Sequence, residues 1–256
     1  MSFDNNDFQR FPVSPSEHEP QSGESKFPNE NFQRRILSFL TLAILLLFFP
    51  LLSIPFAGDY QEALTLLADS PIAFIYIPTM VTHWLLFLLV FLTVRHEKTG
   101  LRGLGFKNIR LLDLLWAVAF LLASNLILTL LSLGLEQFGL GIPGEIELML
   151  PDTGAERIVW VFLSLTAGIC EETAFRGYLI TRLKLFGHSK SWIVPVVVSS
   201  LAFGMGHTYQ GVGGFIMISI YGMMFGILYI KTGSIWPCVI AHFFQDFSAL
   251  FFPFQN

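Results

Sequence analysis

Long apolar runs separated by short polar segments set the plan of this chain. A helix that crosses the hydrocarbon needs about 20 predominantly apolar residues. Ile36–Gly58, Ser70–Val94 and Leu114–Leu135 each supply that length without an Asp, Glu, Lys or Arg. A fourth run, from Ile158 to about Ile180, contains Glu171, Glu172 and Arg176. Ser191–Ile230 is again free of those four residue types. As one helix it would extend about 60 Å, twice the hydrocarbon thickness, so it reads as two helices with the turn at Gly211–Gly214. Ser234–Phe252 closes the series and holds His242 and Asp246. The pattern predicts an all-α, polytopic membrane helical bundle of seven transmembrane helices. An eighth follows if a short segment near 60–68 or 138–150 enters the bilayer.

Composition agrees with that pattern. Of 256 residues, 53% are hydrophobic and 13% charged, at a mean hydropathy of +0.61. Soluble domains carry roughly 25% charged residues. The lipid bilayer is therefore the first partner the sequence names. A net charge of −4 leaves no dense basic face for nucleic acid. Cys170 and Cys238 both lie in apolar stretches and read as small packing residues.

Residues 1–33 are polar and acidic and cannot bury enough apolar surface to offset their ordering entropy, so a disordered cytoplasmic tail is expected there. The first span then reads as an uncleaved signal anchor. The N-terminal helices occupy 34–156, and 157–252 carries the polar motifs. Basic residues set the orientation. Arg34 and Arg35 precede span one; Arg95, Lys98, Arg102, Lys107 and Arg110 follow span two; Arg182, Lys184 and Lys190 follow span four; and Lys231 follows span six. The alternate loops are poor in bases, with none in 59–69 and only Arg157 in 136–157. An integral, multi-pass protein with its N-terminus in the cytoplasm is expected.

The first three spans carry little chemistry. Asp113, at the mouth of span three, reads as a helix cap. His83 and Asn125 are single polar groups, expected to form interhelical hydrogen bonds rather than to serve as ligands. Spans four to seven differ. A charged side chain at a helix centre costs about 2.5–3.5 kcal/mol on insertion scales, so intramembrane ionisable groups mark function by default. Glu172 and Arg176 stand four apart and suit an ion pair on one face. Glu171 points about 100° away and is the carboxylate that this arginine does not neutralise. His242 and Asp246 also share a face, and His207 closes span five.

These are parts for activating a water. His207, His242 and Asp246 could hold a divalent metal such as zinc, which would acidify its bound water. Alternatively, Glu171 and His207 polarise the water directly while His242 and residue 246 face a tetrahedral oxyanion. The residues alone leave both routes open. The H-E-x-x-H pattern, the G-x-S-x-G elbow and phosphate-binding loops are absent.

E-E-x-x-x-R at Glu171–Arg176, F-x-x-x-H at Phe203–His207 and H-x-x-x-D at His242–Asp246 resemble the three motifs of the CAAX-protease and bacteriocin-processing family of intramembrane proteases. Each motif is weak alone; three in order, each within an apolar span, are specific. The resemblance implies an endopeptidase acting on a peptide or membrane-protein substrate. In it, Glu171 is the catalytic glutamate, His207 works with it on the water, and His242 with Asp246 forms the third-motif pair. Many members carry Asn where Asp246 stands, and an ionised Asp cannot donate to an oxyanion. The rival readings are a catalytically silent immunity or scaffold protein and an ion-coupled transporter. A transporter would show broken helices in two related halves, which the sequence lacks.

Overall fold

The computed structural model describes residues 28–53, 70–142, 144–187 and 191–251. The stretch 1–27 and the segment 60–68 lie outside them. Among the described residues all regular structure is helical. Helix α1 runs over 28–53, as Pro28–Ala43, a π turn Ile44–Phe48 and Phe49–Ser53. It therefore begins inside the stretch expected to be disordered. It is followed by α2 (Ile72–His96), α3 (Leu111–Gln137) and α4 (Gly154–Phe186). Then come α5 (Ile193–Met205), α6 (Gly211–Thr232) and α7 (Trp236–Ser248).

Among the described residues, four helical stretches are long and apolar enough to cross a membrane: Ile72–His96, Leu111–Gln137, Gly154–Phe186 and Thr208–Thr232. The apolar part of α1, Ile36–Leu51, and α5 are shorter. With 13 residues each, α5 and α7 cover only about 20 Å. Among the described residues the expected seven full-length spans thus become seven helices of unequal reach. The 138–150 segment adds a 3₁₀ turn, Gly144–Met149, and no spanning helix.

The break in the long run 191–230 also moves. It falls at 206–210, with a 3₁₀ turn at Thr208–Gln210, rather than at Gly211–Gly214. Gly211 takes φ +74°, a conformation open to glycine at little cost, and begins α6 instead of ending α5. The shortened α5 leaves His207 in irregular backbone just past its end. Such backbone is tolerated at membrane depth only where it is buried in protein or lines a cavity.

The loops grouped by their bases do meet at one end of the bundle. Arg182 reaches Glu97 beside the α2–α3 loop, and Ile235 N–H donates to the Gly105 carbonyl. Trp236 Nε1 donates to the Lys107 carbonyl. At the other end Tyr76 donates to the Met149 carbonyl and packs on Trp160. One refinement concerns the bases themselves. Arg182 and Lys184 are buried, so they are packed groups rather than free loop charges.

α3 shows mostly apolar side chains outward, among them Leu115, Leu122, Leu126 and Leu130, as a lipid-facing helix must. Only Asp113, Ala117, Phe120, Ser124 and Leu135 of its residues are buried. Asp113 caps α3 as expected, accepting from Arg110 N–H at 2.8 Å. Among the described residues Asn125 makes no bridge between helices; its amide donates to Leu121 O within α3.

α4 is the axis of the site. A capping box starts it, with Thr153 Oγ1 accepting from Glu156 N–H and the Glu156 carboxylate accepting from Thr153 N–H. It then packs against α2, α5, α6 and α7. From Cys170 to Arg182 every residue is buried. Gly168 permits the close crossing with α7. A Cβ there would meet Val239 O at 3.0 Å and Phe243 N at 3.3 Å, both backbone atoms that cannot yield. That contact brings the acidic stretch of α4 level with His242.

Candidate active site

Glu171 ends the regular part of α4, and Glu172–Ile180 continues it as a π-helix. π-bulges inside α-helices recur at functional sites because they re-aim side chains. Here two adjacent carboxylates enter the protein interior in different directions, and both are buried.

Glu172 points toward α7. Its Oε1 lies 2.7 Å from His242 Nδ1 and 3.0 Å from Arg176 Nη1. A carboxylate can only accept, so His242 Nδ1 carries the proton and Nε2 is the ring atom left for chemistry. The expected Glu172–Arg176 pair is present. Its alignment is poor for a hydrogen bond, and Glu172 Oε2 and Arg176 Nη2 have no hydrogen-bond partner among the described residues. The guanidinium instead sits over two rings, 4.2 Å from the Phe203 centroid and 5.0 Å from that of Phe225. Phe225 in turn stacks on His242 at 5.6 Å. Phe203 of the second motif is therefore the aromatic floor for the arginine of the first.

Glu171 points toward α2. Its Oε1 lies 2.5 Å from His83 Nε2, and its Oε2 lies 3.8 Å from His242 Nε2. Asp246 Oδ2 approaches the same His242 nitrogen at 3.5 Å. The Asp246 side chain is 33% exposed, whereas those of Glu171 and His242 are 8% exposed. Trp160 Nε1 donates to the Asp246 carbonyl, tying the start of α4 to the end of α7.

His207 joins from the turn after α5. Its Nδ1 lies 2.9 Å from Phe203 O, so Nδ1 donates and Nε2 is free to face the site. Its ring sits 4.9 Å from Phe203, while His242 lies 6.4 Å from the same ring. His207 also interacts electrostatically with Glu171. Tyr209, 5.9 Å from His207 between ring centroids, interacts with both Glu171 and Asp246.

The structure thus places Glu171, His242 and Asp246 in one cluster, with Glu172 and Arg176 behind His242 and His207 across Phe203. Among the described residues, no three His, Cys, Asp or Glu side chains group so as to hold a metal ion. The set His207, His242 and Asp246 does not fit one in this arrangement. Two features went unread in the sequence. Glu172 orients His242 as well as pairing with Arg176. His83 does bridge helices as expected, but to the site carboxylate itself. It was the one His, Asp, Glu, Lys or Arg of span two, and the rule that marks such groups as functional applied to it as much as to span four.

No curated protein and no solved structure matches the chain. A family model does, over residues 153–248: type II CAAX prenyl endopeptidase Rce1-like. The matched region runs from the Thr153 cap of α4 to the last residue of α7 and contains all three motifs. Through residues 153–248, this multi-pass membrane protein is similar to the CAAX-protease family of peptidases.

Proposed function

We propose that the protein is an intramembrane endopeptidase that hydrolyses a peptide bond with a water activated by Glu171 and His207. The observation that carries this reading is the facing of Glu171 Oε2 and His242 Nε2 at 3.8 Å inside the bundle. That spacing suits one water hydrogen-bonded to both. Glu171 Oε2 takes a proton from the water as its oxygen attacks the scissile carbonyl carbon. His207, through its free Nε2, polarises the same water from the far side. The carbonyl oxygen becomes a tetrahedral oxyanion on the side of residue 246. Glu171 then returns the proton to the departing amine as the C–N bond breaks.

Glu172 fixes the His242 ring through Nδ1, and Arg176 holds Glu172. The lipid-facing helices exclude bulk water, so each of these interactions acts in a low dielectric. Substrate enters as a peptide at or within the bilayer; the family match makes a prenylated CAAX peptide the first candidate.

Purified full-length protein in liposomes, given a farnesylated CAAX peptide, the same peptide without the lipid and a single-span model peptide, tests the reading. Mass spectrometry should find scission of at least one by the wild type and of none by Glu171→Ala. No scission of any probe, or equal scission by both proteins, overturns it.

A further inference from the structure

We infer that His83 is a positioning residue of this site: it holds Glu171 through Oε1 and keeps a proton there, leaving Oε2 as the single oxygen that works on water. The inference rests on the glutamate mechanism above and adds to it a residue from α2, outside the matched region 153–248.

The proton count carries the argument. His83 Nδ1 lies 2.7 Å from the Thr79 carbonyl, which can only accept. Nδ1 therefore carries a hydrogen. Nε2 lies 2.5 Å from Glu171 Oε1. A bare imidazole nitrogen and a bare carboxylate oxygen would repel at that separation, so one proton is shared between them. Such charge-assisted contacts are the short, strong ones. Both side chains are 8% exposed, so no solvent competes for that proton.

The consequence follows for the reaction. When Oε2 takes a proton from the attacking water, the shared proton settles on Nε2. Glu171 then carries one proton, His83 becomes imidazolium, and the new hydroxyl adds to the carbonyl carbon. When Oε2 gives its proton to the leaving amine, the shared proton relaxes back between Nε2 and Oε1. Nothing is gained or lost over the cycle.

The surroundings fix His83 as firmly as its partner does. The ring meets Phe49 edge-on at 6.2 Å. One residue along, Trp84 Nε1 donates to Thr166 Oγ1 at 3.2 Å, stapling α2 to α4 a little over a turn before Glu171. The groups facing the pair include His242, which meets Glu171 Oε2, Asp246, which meets His242, and His207 and Tyr209, which interact with Glu171 across the site. None occupies Oε1.

Two measurements on the full chain in lipid test this, and the first needs no turnover. With ¹⁵N-labelled histidine rings, the Nε2 signal that vanishes in His83→Gln should move strongly when Glu171 is changed to Gln. An unmoved signal overturns the proposal whether or not any peptide is cut. The second reads cleavage of whichever probe the wild type cuts. His83→Phe, which fills the same space beside Phe49, should lower kcat roughly 100-fold at little change in KM, the scale of a misplaced catalytic group. His83→Gln, whose amide can still donate to Oε1, should recover about 10-fold of that. Wild-type kcat in His83→Phe overturns the role. Should the wild type cut no probe, the proposed function falls while the ring-nitrogen result still decides the pairing.

Discussion

Two buried ion-pair clusters lie on the same helix, and they are built on opposite rules. At the end of α4, Arg182 donates through Nε to Glu97 Oε2 at 3.0 Å, through Nη1 to Thr181 at 3.0 Å and through Nη2 to Thr99 at 3.2 Å. Glu97 Oε1 also accepts from Ser38 at 2.7 Å. The charges match one to one, and each guanidinium nitrogen has an acceptor. This cluster clamps α1, α2 and α4 together. Some eleven residues earlier on α4, Glu171 and Glu172 share their surroundings with Asp246, three histidines and one arginine. There Glu172 Oε2 and both Nη atoms of Arg176 lack hydrogen-bond partners among the described residues, and imidazoles take the place of fixed cations. A satisfied pair locks helices. A cluster of carboxylates and imidazoles keeps protons mobile, and such incompletely satisfied polar groups concentrate at working sites.

The comparison breaks most sharply at Glu171. Glu171→Ala should cost between about 100- and 10,000-fold in peptide cleavage, the usual worth of a general base, with the folded protein still accumulating. An equal loss of cleavage and of folded protein would make this cluster a second clamp.

Arg182→Ala should do the reverse. Removing one member of a buried pair typically costs about 3–5 kcal/mol because the other charge is stranded. Folded protein should fall in a thermal-stability assay, while the cleavage rate per folded molecule stays near wild type. Arg176→Ala should resemble it, since Arg176 touches Glu172 and two rings rather than the reacting oxygens. Arg176→Lys should recover part of the loss by keeping the charge over Phe203 and Phe225. Normal stability of Arg176→Ala with turnover abolished would move that arginine into the chemistry.

Gly168→Val comes next. Added carbons there would meet α7 backbone already at contact distance, at a typical overpacking cost of about 1–3 kcal/mol. Moving α7 outward also takes His242 from Glu172, so stability and cleavage should decline together. Cleavage unchanged at lowered stability would show that the site tolerates that displacement.

How much of this was legible in the chain divides along the same line. Apolar runs pointed to the helices, and base counts brought the loops after spans two, four and six to one end, because hydrocarbon imposes both constraints on composition. Helix length was less legible: α5 is cut short by the turn at 206–210 and α7 by the turns at 249–251, all inside apolar sequence, where hydropathy carries no signal. Glu172–Arg176 was readable because partners four apart are local. Glu171–His83 spans 88 positions and His242–Glu172 spans 70, and no periodicity encodes such pairings. Nor did the sequence distinguish Arg182 as a buried clamp from a loop base, since its partner Glu97 sits 85 residues away.

The smallest effect is expected at position 246, and it sharpens the contrast within the site itself. The ring of His242 is already held at Nδ1 by Glu172, so Asp246 is not needed to orient it. Asp246 meets the other nitrogen at 3.5 Å, a loose contact, from a side chain one-third exposed. Asn is nearly the same shape and can donate a hydrogen bond to an oxyanion, which an ionised Asp cannot. Asp246→Asn should therefore keep cleavage within about 10-fold of wild type, whereas Asp246→Ala, which removes the polar group altogether, should lose more. Both should respond to a chelator as the wild type does. A role for residue 246 in holding a metal predicts the other pattern: loss of a ligand's partner costs about 10–100-fold in metal affinity, so the Asn variant would fail first at limiting metal and recover with added metal. Cleavage by wild type, Asp246→Asn and Asp246→Ala, each with chelator and with added zinc, separates the two. An Asn variant that is active and indifferent to chelator leaves Glu171 to activate the water directly, while a zinc-rescued variant requires donors to assemble that this arrangement keeps apart.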